Sequence, residues 1–182
     1  MFFLRKPNLE RLPVAMSGVR MGERVLQIGV DDASLVGAIA AKVGLSGHAA
    51  IAVADDRQAA RARSGAAAAG ALADVQTTTH AALPFADEAF DVVVLHAAAI
   101  ADVFSPLGAP LLHDSRRVLR AGGRIVVIEG RGHGWFGRER STLVPDPVGA
   151  LQALTTAGFR AARLLAEREG YRFLEAVKSQ QP

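Results

Sequence analysis

Two pairs of adjacent acids carry the first chemical signal in this chain. Asp31-Asp32 follows the apolar run Val25–Ile28 and Gly29, and Asp55-Asp56 follows a second apolar run, Ala49–Val53. Acids placed just beyond buried strands stand where a βαβ unit meets a nucleotide. The first turn approaches the ligand, and the acid after the second strand can hydrogen-bond ribose hydroxyls. The turn, Gly29-Val30-Asp31-Asp32-Ala33, keeps one glycine where a glycine-rich loop would be expected. His96 follows a further apolar run, Asp91–Leu95, and an imidazole there is a candidate general base at neutral pH, or else a pocket wall. The stretch Gly130–Arg140, GRGHGWFGRER, interleaves basic residues with Trp135 and Phe136. With His133 it could stack an aromatic substrate or meet an acidic partner; the plainer reading is a solvated insertion whose aromatics tuck onto the domain.

Other chemistries find little support. His48, His80, His113 and His133 are scattered without metal-ligand spacing, so no metal site is expected. Cysteine is absent, which removes disulfides and thiolate catalysis. Ser17-Gly18 and Ser105-Pro106 lack the strand-to-helix elbow of a nucleophilic serine.

These residues need a scaffold, and the apolar pattern supplies one. Val25–Ile28 reads as a short strand buried on both faces, with Gln27 inside it. Leu35, Ile39 and Val43 recur at helical spacing, and Asp32 or Ser34 can cap that helix. After the second strand, the alanine-rich stretch to Val75 predicts a helix weakened by two glycines. Strands are expected at Val75–Thr79, Asp91–Leu95 and Arg124–Ile128. A helix before the last of these is stopped by Ala121-Gly122-Gly123. Val148–Ala157 predicts another helix, and Phe159–Leu165 with Tyr171–Val177 an antiparallel pair about Glu169-Gly170. Leu9–Gly22 is a short, broken lead-in. Strand and helix are thus expected to alternate through five strands before the final hairpin. That pattern is an α/β, doubly wound, Rossmann-like seven-stranded sheet, mostly parallel with an antiparallel C-terminal strand. Its ligand crevice lies outside the carboxyl ends of the strands, at 29–33, 55–56, 79–80, 96–97 and 129–131.

At 182 residues the chain suits one domain, 1–182, with residues 1–21 as lead-in and 131–147 as an irregular basic and aromatic loop. Lys+Arg of 21 against Asp+Glu of 18 leaves a formal net charge of +3, too small to demand nucleic acid as a partner. The N-terminal apolar run is too short for a secretory signal, and no stretch approaches the ~20 apolar residues of a membrane helix. A cytoplasmic protein with no membrane association is expected.

Several blocks in order resemble the class I S-adenosylmethionine-dependent methyltransferases, especially the small ubiquinone/menaquinone-biosynthesis type (methyltransferase type 11). They are GERVLQIG, LPFADEAFDVVV, RRVLRAGGRIVVIEG, and AGFRAARLL followed by EGYRFLEAVK. The resemblance covers roughly Gly22 to Lys178. It implies S-adenosylmethionine as cofactor, with the amino-acid tail at 29–33, the ribose at Asp55 or Asp56, the adenine at Thr79 and His80, and the acceptor near His96 and the 131–147 loop. The cofactor motif is degenerate. Gln27 stands where the family has an acid, Asp31 and Ala33 stand where it has glycines, and Thr79 stands where it often has an aspartate. The function implied is methyl transfer to a small molecule. The alternative is a methyltransferase-like scaffold or binding protein, catalytically inactive, acting through a homodimer or a protein partner.

Overall fold

A computed structural model describes residues 11–79, 82–130 and 146–180. Five helices, α1 (Leu12–Met16), α2 (Ala33–Lys42), α3 (Asp56–Ala68), α4 (Ala109–Val118) and α5 (Val148–Thr156), surround seven strands. The strands are β1 (Arg24–Ile28), β2 (His48–Val53), β3 (Asp74–Thr77), β4 (Phe90–His96), β5 (Leu119–Gly130), β6 (Arg160–Arg168) and β7 (Tyr171–Val177). They form one sheet in the order β3-β2-β1-β4-β5-β7-β6. The first five are parallel, and β7 runs antiparallel to both β5 and β6. β1 is central, between β2 and β4, because Val25, Leu26 and Ile28 are wholly buried and need cover on both faces. From β1 the chain winds outward one way through β2 and β3, then returns to start again at β4. The carboxyl ends of β1 and β4 therefore flank the switch point where doubly wound sheets bind ligands.

Alternation along the strands decides which side chains reach that point. Leu26, Ile28, Val93 and Leu95 pack with Leu111, Leu112 and Leu154 from α4 and α5. Val25, Val92 and Val94 face the other way, onto Leu35 and Ile39 of α2. By the same period of two, Gln27 and His96 fall on the α2 face, at the carboxyl end of an otherwise apolar stack.

Three expectations need correction. No helix lies between β3 and β4 among the described residues, so the strict alternation breaks there. α4 ends at Val118 rather than at Gly122, because Leu119 already pairs with Phe90 as the start of β5. Gly65 does not weaken α3. A Cβ on it would overlap the carbonyl oxygen of Ala33 and lie 2.7 Å from the carbonyl carbon, so Gly65 is what lets α3 pack directly on the start of α2. At the far edge, β6 carries Arg160, Arg163, Glu167 and Arg168, with Ala161 at φ 51° and two register shifts against β7. The opposite edge, β3, is four residues long.

Candidate functional site

A cavity of roughly 600 Å³ opens outside the carboxyl ends of β1, β2 and β4. Its walls include Val30, Asp31, Asp32, Asp55, Gln58 and Arg61. A second cavity of roughly 310 Å³ shares Ala99 with it and is lined by Ala54, Thr79, Ile100 and Leu111, among others. The first is polar and the second mostly apolar. Together they lie within the size range of small-ligand sites, and the pairing suits a zwitterionic nucleoside.

The loop between β1 and α2 forms the floor. Gly29 continues the sheet by donating its N–H to Ala52 O at 2.9 Å, and then turns with φ 83°. A Cβ at Gly29 would lie 2.9 Å from Ala99 Cβ and 3.3 Å from His96 O, so the loop and the 3-10 turn Ala97–Ala99 are in direct contact. Positive φ and lack of room both demand glycine here. The other positions of the loop are held from outside. Arg61 donates to Val30 O at 3.2 Å and to Asp31 O at 2.6 Å. Arg11, ahead of α1, donates to Asp32 Oδ2 at 2.7 Å and Ser34 Oγ at 2.8 Å. Asp32 caps α2 through the N–H groups of Ser34 and Leu35, as one of the two expected caps. Burial alone would raise the Asp32 carboxyl, but the Ser34 hydroxyl, Arg11 and the Leu35 N–H together hold it below its ordinary value.

Behind the floor lies a buried polar cluster. Gln27 Nε2 donates to Val36 O at 2.9 Å, and Gln27 Oε1 is 3.0 Å from His96 Nε2. A carbonyl can only accept, so the amide must turn its NH2 to Val36 and its oxygen to His96. His96 Nε2 then carries the hydrogen, leaving Nδ1 with a lone pair when the ring is neutral. Nδ1 lies 3.7 Å from Asp31 Oδ1, beyond hydrogen-bond distance, with side-chain exposures of 0% and 8%. Both atoms are buried without a hydrogen-bond partner, as is Gln58 Oε1. Such unmade bonds cost about 1–3 kcal/mol each, so they are placed for something other than stability. Burial pushes the His96 imidazolium down, and Asp31 and Asp32 only partly oppose it, so the neutral ring is favoured.

The remaining expected residues are dispersed. Asp55 lies on the cavity wall but also caps α3, with Oδ1 accepting from Gln58 N at 2.8 Å and Oδ2 from Gln58 Nε2 at 3.4 Å. Asp56 begins α3, exposed, 3.5 Å from the Thr77 hydroxyl. Ala33 opens α2 under Gly65, and Thr79 lines the second cavity. Glu129 ends β5 and pairs with buried Arg172 at 3.3 Å. His80, His133, Trp135 and Phe136 lie outside the described residues. No cluster of three metal-ligating side chains occurs among the described residues. Arg61, Gln58 and Arg11 were not anticipated. For Gln58 a signal existed, since Asp55-x-x-Gln58 has the spacing of a capping box.

Comparison with known proteins follows the same outline. A family model described as "Methyltransferase domain" matches residues 26–127, from β1 into β5. An uncharacterized protein of Mycobacterium tuberculosis is 34% identical over 132 residues, 72% of this chain and 46% of that protein. The chain thus spans about half the length of the curated relatives it matches. Among solved structures, a SAM-dependent methyltransferase from Aquifex aeolicus superposes with a TM-score of 0.69 at 17% identity, covering 90% of this chain and 86% of that one. PigF, solved with SAH, gives 0.63 at 19% identity, covering 90% of this chain and 53% of PigF. The fold is that of class I S-adenosylmethionine-dependent methyltransferases, and by the match across more than half its length the chain belongs to the Methyltransferase domain family.

Proposed function

We propose that this chain is an S-adenosylmethionine-dependent methyltransferase acting on a small molecule, and that its described elements work as one domain. The observation that carries the reading is the polar cavity at the switch point between β1 and β4, floored by Gly29–Asp32 and continued by a smaller apolar pocket. S-adenosylmethionine, when bound, supplies a sulfonium-activated methyl group that needs alignment with an acceptor more than it needs a base.

The roles of the chain's own residues follow from where they stand. Asp55 keeps one carboxylate edge against the first turn of α3, and with Gln58 Oε1 it presents acceptors for ribose hydroxyls. Asp56 is the second acid at that corner. Thr79, with Ala54 and Ile100 around it, offers one hydroxyl to an adenine edge, and His80 follows in sequence. Arg61 and Arg11 fix a loop that has only one glycine to shape it, which keeps the floor rigid against an amino-acid tail. His96, wholly buried, acts through orientation rather than as a base reaching the acceptor. His133, Trp135 and Phe136 are proposed on the acceptor side from sequence alone.

Titration calorimetry with S-adenosylmethionine and S-adenosylhomocysteine tests the reading. Saturable heat from both is the expected result. Folded protein that gives no heat and no thermal shift at millimolar ligand refutes it, and leaves the scaffold or partner-binding alternative.

A further inference from the structure

Resting on that cofactor reading, we propose that Asp31 Oδ1 and His96 Nδ1, oriented by Gln27, receive the α-ammonium group of the ligand's amino-acid tail, and that a proton competes with that ammonium for the same place. The pair is two buried acceptors 3.7 Å apart with no donor between them. One added proton completes it in one way: on Nδ1 it makes the imidazolium and points an N–H at Asp31. An ammonium completes it in another, with two of its three N–H bonds directed to the two atoms. At ~2.9 Å from each, the nitrogen sits to the side of the line joining them, reached by way of Asp31 on the cavity wall.

The surroundings favour the ammonium at neutral pH. Gln27 holds Nε2–H, so the lone pair stays on Nδ1. Burial disfavours the imidazolium. The strand neighbours of His96 bring no other charge: Ile28 lies beside it on β1, Ile128 pairs with it on β5, and the turn after it is Ala97–Ala99. Charged and titratable groups face the cluster from four other sides. Asp32 is bound by Arg11, Arg61 lies on the Asp31 carbonyl, and Tyr171 of β7 sits near Arg11, Asp32 and Asp31, its phenol raised by burial. Of these, only Asp31 turns an unpartnered atom toward His96. A ligand whose tail lacks the amino group leaves both acceptors bare.

Three probes separate the possibilities: S-adenosylhomocysteine, its decarboxylated form, and its deaminated form. Calorimetry at pH 8 is expected to show the deaminated probe at least tenfold weaker than the other two. As the pH falls below the ordinary histidine range, binding of the two amines is expected to weaken by up to about tenfold per pH unit with release of up to one proton, while the deaminated probe shows no such dependence. Asp31→Asn should bring all three probes to similar affinity. Nitrogen NMR of His96, which needs no turnover, should show the Nε2–H tautomer in the free protein and a shift at Nδ1 when the amine binds. Equal binding of amine and deaminated probes, no proton release, or an Nδ1–H tautomer overturns this inference while leaving the cofactor reading intact. Failure of all three probes to bind overturns both.

Discussion

Replacement of Gly65 by alanine sets two magnitudes against each other. Gly65 lies inside α3, where alanine is intrinsically favoured by about 1 kcal/mol. The packing says otherwise, because the new Cβ would overlap the Ala33 carbonyl oxygen and lie 2.7 Å from the carbonyl carbon and 3.3 Å from Cα. These are backbone atoms at the first residue of α2, with no rotamer to swing aside. Gly37 faces the same contact, since a Cβ there would meet the Gly65 carbonyl. The two helices would have to separate, and overpacking of this kind costs about 1–3 kcal/mol, at times more. The net expectation for Gly65→Ala is a loss of about 1–2 kcal/mol. With a urea slope of about 1–3 kcal/mol per M, the unfolding midpoint should fall by roughly 0.5–1 M. Gly149→Ala is the control. It also lies within a helix, but a Cβ there meets nothing within 4 Å, so it should gain about 0.5–1 kcal/mol. Opposite signs for the two variants are the expected outcome. A Gly65→Ala protein as stable as the parent would show that α2 and α3 are not in backbone contact, and the account of the loop resting on that contact would fall with it.

Further outcomes follow from the clasps around the site. Asp32→Ala removes both a cap and the Arg11 pair, and should cost about 0.5–2 kcal/mol at pH 7. Because the folded carboxyl lies below its ordinary value of 3.8, this contribution is present above that value and lost as the pH falls through the lower folded one. Parent and Asp32→Ala stability curves should therefore converge in acid; a gap that persists at pH 2 speaks against the ion pair. Arg61→Met should leave the fold intact and lower S-adenosylhomocysteine affinity by loosening the loop, whereas unchanged affinity would remove Arg61 from the site. Arg117 binds Asp114, Asp87, Leu83 O and Phe85 O and so closes the turn before β4. Arg117→Lys should forfeit most of the ~1–3 kcal/mol lost by Arg117→Ala, since an ammonium cannot span that set; a fully stable lysine variant would contradict this.

Much of the scaffold could be read from the sequence because buried parallel strands announce themselves as unbroken apolar runs. Val25–Ile28, Ala49–Val53 and Asp91–Leu95 are such runs, and each is a strand close to its expected bounds. Glycines misled where their meaning depended on a neighbour. Gly65 looked like a weak point in a helix because Ala33, its contact, lies 32 positions earlier, and Gly122 looked like a helix stop although Leu119 had already joined the sheet. The acids were found by position, but their direction was hidden. That Asp31 Oδ1 turns toward His96 depends on β1 pairing with β4, across a gap no local pattern spans. Asp55 shows the reverse, since its bond to the Gln58 N–H was written in local spacing and passed over in favour of a ligand.

The charged rim at β6 bears on how copies of this protein can share space. A sheet grows by offering a straight row of free peptide groups to another strand. At one end Arg160, Arg163 and Arg168 crowd cations along a strand already bent at Ala161, and at the other β3 has only four residues to offer. Recruitment through sheet edges is thereby penalised at both ends, so crowding or partial unfolding has no ready template from which to seed fibres. Any lasting assembly must be made through helices and loops, where side chains and not peptide groups choose the partner.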